Sequence, residues 1–178
     1  MKFNESLITA ALLAVGSLAA VSANAASPAT GSFKVNLTVQ ASCNVTAAIG
    51  TQDINFGAVD AKAIVALTAS SAATIDVECS KGTPFKVALS PTGTSTTGTG
   101  TLKSTTTGNS DTIPYSLYSN AGATTVWGNT VSTNTVNGTG TGFGGGASLF
   151  KYTATAKVLT TDVKPDTYSD TVAVAVTY

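Results

Sequence analysis

Three glycines, Gly140, Gly142 and Gly145, are spaced like a phosphate-cradling loop, and Asp162 stands about where a ribose-binding acid would follow. That chemistry needs a buried strand before the glycines and a helix opening at the last one, so that the helix N-terminus meets the pyrophosphate. Here the glycines sit among threonines and lead into an alternating segment at Phe150. The tract therefore predicts a loop. Asp76 and Glu78 are two residues apart and share one face of any strand, the arrangement of a paired acid and base. No neighbouring apolar pocket is visible to raise one pKa, and the pair reads as a solvated face. Asp166 and Asp170 flank a turn at Pro165 and read as turn chemistry or a weak cation site. Trp127, near Tyr118, either stacks on a sugar or packs over a loop at the rim of the fold.

The rest of the composition narrows the chemistry further. The chain has 178 residues, with nine Lys, nine Asp and Glu, no His and no Arg. Without His it lacks the one side chain whose ordinary titration falls near neutrality, and also the commonest metal ligand. Without Arg it lacks the planar fork that grips phosphate and carboxylate. Zero formal charge leaves no basic footprint for nucleic acid. These residues predict no catalytic site, no cofactor and no metal.

Residues 1–25 have the form of a cleaved secretory signal. Lys2 opens a short polar start, Leu7 to Val21 is apolar, and Ala23-Asn24-Ala25 is a small-x-small cleavage sequence. Export places Cys43 and Cys79, the two cysteines of the chain, in an oxidising compartment, where a structural disulfide is the default. The remaining elements are strands. Phe33, Val35, Leu37 and Val39 alternate with Lys34, Asn36 and Thr38, a period of two. The same alternation recurs at Ile75–Cys79, Phe85–Leu89, Ile113–Leu117 and Phe150–Val158, and finally through Val172, Val174, Val176 and Tyr178. Segments with one wet face predict antiparallel sheets packed face to face, an all-β sandwich. Residues 91–100, 105–111 and 137–146 are Thr/Gly/Ser-rich and predict loops, while Ala58 to Ala73 has room for a short helix.

Several short stretches, taken together and in order, carry a family resemblance. They are Ser42-Cys43-Asn44-Val45, Ile54-Asn55-Phe56-Gly57, Val77-Glu78-Cys79-Ser80-Lys81-Gly82-Thr83-Pro84-Phe85, Tyr115-Ser116-Leu117-Tyr118 leading to Val126-Trp127-Gly128, and Pro165-Asp166-Thr167-Tyr168-Ser169-Asp170-Thr171 before the final Val-rich strand. In these the chain resembles the spore coat protein U family, whose members include the pilins of archaic, Csu-type chaperone–usher pili.

The resemblance implies an immunoglobulin-like antiparallel β-sandwich lacking its last strand, over residues 42–178, preceded by a leader and donor strand over residues 26–41. It implies a structural, non-enzymatic subunit of a surface fimbrium, exported through the periplasm and serving adhesion and biofilm formation. Its partners would be a periplasmic pilus chaperone, an outer-membrane usher and neighbouring pilin subunits, with no nucleic acid. Phe33, Val35, Leu37 and Val39 would be donated to a neighbour, and Val172, Val174, Val176 and Tyr178 would form the acceptor groove and chaperone edge. The residues alone fit this, because the final strand stops at Tyr178 and leaves a sheet edge open, which is a template for strand addition. They fit equally a closed monomeric sandwich whose first strand is 33–39. A spore or cell coat protein and a secreted carbohydrate-binding module remain alternatives of other functional classes.

Overall fold

The computed structural model describes residues 28–47, 50, 52–62, 67–92, 96–144 and 146–178. The expected signal segment, 1–25, lies outside the described residues. The chain divides into two units, residues 1–38 and 39–178. In the first, residues 28–38 belong to no helix or strand, and Phe33, Val35 and Leu37 hold their side chains 85–89% exposed.

The second unit is built of antiparallel strands: β1 (Cys43–Thr46), β2 (Leu67–Thr68), β3 (Ala73–Cys79), β4 (Pro84–Pro91), β5 (Thr99–Ser104), β6 (Thr112–Tyr118), β7 (Val136–Thr139), β8 (Phe150–Val158), β9 (Tyr168–Ser169) and β10 (Val172–Thr177). One sheet runs β1-β3-β8-β6-β5-β9, with β2 also paired to β8; the other runs β10-β4-β7. The period-two pattern predicts which side chains go inside. Ile75, Val77 and Cys79 of β3, Phe85, Val87 and Leu89 of β4, and Ile113, Tyr115 and Leu117 of β6 are all buried between the sheets.

Cys43 and Cys79 are directly opposite in the β1–β3 ladder and are joined by a disulfide. By the chain-entropy account, closing a loop of 36 residues' separation stabilises the fold by about 3.5–4 kcal/mol.

Three expectations from local composition need correction. Two of the Thr/Gly-rich tracts contribute strands: residues 91–100 run into β5, and residues 137–146 contain most of β7. Each strand holds a glycine under a cross-strand aromatic. Gly100 lies opposite Tyr115 and Gly138 opposite Phe85, and a Cβ at either position would overlap the partner's ring. Glycine weakens a strand by propensity, but here an aromatic ring covers the gap and restores the packing. The helix allowed for at Ala58 to Ala73 is absent among the described residues, which instead contain β2 and the start of β3.

The third correction is Trp127. It is neither a sugar platform nor a rim aromatic, because it is wholly buried. Asn120 turns the chain after β6 by accepting the backbone N–H groups of Thr124 and Thr125. The bridge between Tyr118 and Val126 then returns the chain beside β6 and directs Trp127 inward. The Trp127 indole N–H donates to the Val87 carbonyl at 2.9 Å, so the one polar atom of the ring is satisfied inside the core.

Candidate functional site: a groove open along the last strand

The inward face of β8 changes size along its length. Phe150 and Tyr152 at its start meet Phe85 edge-to-face, with ring centroids 5.3 and 6.4 Å apart, and Tyr152 meets Trp127 at 6.1 Å. These aromatics fill one end of the sandwich. Further along β8 the inward residues are Ala154 and Ala156, and Ala73 stands across from Ala154 on β3. Small side chains on the floor leave the space above them empty. A cavity of about 920 Å³ occupies that space, floored by Ala154, Ala156 and Ile75 and walled by Leu117, Leu89 and Val174.

One wall of the cavity is β10. Its only strand partner among the described residues is β4, with Val174 opposite Leu89 and Val176 opposite Val87. Among the described residues its other edge is not paired, which leaves a row of backbone donors and acceptors open there. Val172 and Val174 line the cavity, Val176 is half-buried against the core, and Tyr178 is 58% exposed just beyond β10. Ile54 and Phe56, carried in the Ile54–Gly57 stretch of the family pattern, also line the cavity. Asn55 fixes that stretch, its carbonyl accepting from Ser70 N at 2.7 Å and from Ser71 N at 3.2 Å.

Polar groups organise the mouth near the start of β10. Tyr115 O–H donates to Asp170 Oδ2 at 2.7 Å, and Thr171 N–H donates to Asp170 Oδ1 at 2.8 Å. Burial first, and then the Asp170 carboxylate, push the Tyr115 hydroxyl far above the usual phenol range. Asp166 accepts from Ser104 Oγ, from Thr106 Oγ1 at 2.9 Å and from Asn109 Nδ2 at 2.9 Å. Led by the Ser104 bond, these donors hold its carboxyl far below the usual carboxylate range. Asp166 and Asp170 thus spend their oxygens on tying the loop before β10 to the large sheet. Asp76 and Glu78 have separate partners, Lys151 Nζ at 3.2 Å from Asp76 and Ser148 Oγ at 3.1 Å from Glu78. The Gly140 tract makes backbone turns against β3 and its end, with Gly142 N–H donating to the Cys79 carbonyl at 3.1 Å. A three-residue 3-10 turn, Gly146–Ser148, follows it where a dinucleotide site would need a full helix.

The expected donor residues are also placed. Phe33, Val35, Leu37 and Val39 are 89, 85, 86 and 80% exposed, and none belongs to a strand of the chain. Alternation at 33–39 therefore does not produce a first strand of a closed sheet here. The groove-lining role of Ala154, Ala156 and Leu102 was missed from sequence. The two alanines carried the available signal, since they sit on the inward parity of a strand whose other inward residues are large.

Among solved structures, the chain is similar to a chain in the crystal structure of the CsuC–CsuE chaperone–tip adhesion subunit pre-assembly complex from the archaic chaperone–usher Csu pili of Acinetobacter baumannii. The TM-score is 0.52 at 22% identity, over 79% of this chain and 41% of that one. This chain therefore spans about two-fifths of the length of the chain it matches. The likeness is one of fold, and the architecture is an immunoglobulin-like antiparallel β-sandwich. No curated protein sequence matches the chain. A family model, the Spore Coat Protein U domain, matches residues 29–175, which takes in the exposed alternating segment, the disulfide, the groove and the first four residues of β10. The chain belongs to the Spore Coat Protein U domain family.

Proposed function

We propose that the chain is a structural subunit of a surface pilus, assembled through the chaperone–usher route by donor-strand complementation. The observation that carries this reading is the groove: a mainly apolar space of about 920 Å³ bordered by the edge of β10 that is unpaired among the described residues, in a chain that also exposes an alternating apolar segment. A strand laid against β10 gains backbone hydrogen bonds along its length and buries every second side chain over the alanine floor. Strand addition of this kind is a head-to-tail contact, which grows an open filament wherever the rotation between subunits does not close a ring. A periplasmic chaperone fills the groove first, and residues 33–39 of the next subunit replace it as an outer-membrane usher exports the fibre. The product is a fimbrium at the cell surface that serves adhesion and biofilm formation, with no catalytic step.

The carbohydrate-binding alternative loses its platform, because Trp127 is buried and its indole N–H is spent on Val87. Electron microscopy of exporting cells tests the reading. Deleting the gene should remove fibres, and re-expressing the chain with Val174→Asp should not restore them. A charge there costs several kcal/mol against an apolar wall. Normal fibres from the Val174→Asp chain would overturn the assignment of the groove.

A further inference from the structure

An empty apolar groove in a protein is under pressure to close. Interiors pack at crystal-like density, and burial of apolar surface drives facing walls together. Val172 and Val174 look across the cavity toward the large sheet, so collapse of β10 onto the alanine floor would bury them and hide the edge a donor must reach. A fixed contact at the mouth would resist that closure.

A hydrogen bond at that mouth pins the point where the chain leaves the large sheet for the small one. Tyr115 rises from β6 of the large sheet, and its hydroxyl meets Asp170, which directly follows β9 of that sheet and stands two residues before β10 of the small sheet, at 2.7 Å. The other oxygen of Asp170 accepts from Thr171 N–H at 2.8 Å, so one carboxylate joins the tyrosine to the backbone that starts β10. The ring itself is braced: Tyr115 is 5% exposed and lies over Gly100, its cross-strand partner, where a Cβ would overlap it. Both Tyr115 and Asp170 line the groove.

We propose that the Tyr115–Asp170 pair is a strut that keeps the groove open for residues 33–39 of a second copy of this chain, making both residues positioning residues for strand entry. This rests on the reading of the groove as a strand acceptor. A donor can enter only the open form, so its apparent association rate scales with the open fraction. Once the donor fills the groove, its side chains separate the walls and the strut no longer matters. Loss of the strut therefore slows association and leaves dissociation unchanged.

The test uses the full chain carrying Leu37→Asp, which keeps its own segment out of neighbouring grooves, and a labelled synthetic peptide of residues 26–40 as probe. Adding Tyr115→Phe should lower the association rate several-fold to about tenfold, the range set by one net hydrogen bond, with the dissociation rate within twofold. Asp170→Ala should do the same, and Tyr115→Phe should have no further effect in the Asp170→Ala background. If Tyr115→Phe does not fold, Asp170→Ala decides the question alone. Equal association rates, or a change confined to dissociation, would overturn the strut. A parent chain that fails to bind the peptide would overturn the acceptor reading, and the strut with it.

Discussion

Trp127 and the alanines of β8 set the character of this sandwich by filling one end and leaving the other empty. The indole fills space beside Tyr152 and donates to the Val87 carbonyl, so a smaller ring there loses both packing and a hydrogen bond. Trp127→Phe should destabilise the domain by about 1–3 kcal/mol, seen as a lower urea midpoint with an unchanged slope. An unchanged midpoint would mean that the ring is not part of the core. At this scale the sequence was only partly readable. Inward parity at Ile75, Phe85 and Leu117 follows from alternation alone, and all three are buried. Trp127 stands outside any alternating run, and only the turn at Asn120 and the bridge at Val126 bring it inside. Its burial depends on tertiary contacts that local pattern does not carry.

Among the elements, the turn that leads into β9 has the most to do, because it fixes where the chain starts β10, with two residues between β9 and β10. Asp166 holds it through Ser104, Thr106 and Asn109, and Thr105 N–H donates to the Thr167 carbonyl at 2.9 Å. Because the folded state lowers the Asp166 pKa, its contribution to stability is present above the unfolded carboxylate value, roughly pH 4, and is lost as the pH falls through and below that value. Asp166→Asn should therefore lower the melting temperature at pH 7, and the difference from the parent should shrink steadily toward pH 2. A difference that stays constant with pH would show that the carboxylate charge contributes nothing. Of the alternating segments, the five from Ile75 onward are strands, and their alternation needed no tertiary information. β5 and β7 escaped because glycine and threonine read as loop, whereas Gly100 and Gly138 are the positions where a cross-strand ring needs room. The Asp166 carboxylate was legible as turn chemistry, but its three side-chain donors lie 57 to 62 residues earlier in the chain.

Across the whole molecule, the groove and the exposed segment make complementary demands. A cavity floored by Ala154 and Ala156 has apolar walls at Leu89, Leu117 and Val174 and polar groups at its mouth. Phe33, Val35, Leu37 and Val39 have apolar side chains and nothing covering them. Four such side chains, moved from water into a neighbour's groove, would contribute roughly 6–12 kcal/mol of gross transfer free energy. That is comparable to the total stability of a domain, which explains how fibre formation could drive itself. The void was not legible in the sequence, because it is a property of two facing sheets and appears in no single strand. The alternation at 33–39 was legible, but alternation alone does not tell whether a strand packs on its own sheet or on another chain's.

The most direct test of this account is the fate of the chain with Leu37→Asp in cells that express the chaperone and usher. The substitution leaves the groove untouched and puts a charge only on the segment that enters a neighbour. The subunit should be recovered bound to chaperone, with its Cys43–Cys79 disulfide formed, while the yield of fibres falls at least tenfold. Fibres at the parental yield would contradict the claim that residues 33–39 are the strand one subunit gives to the next.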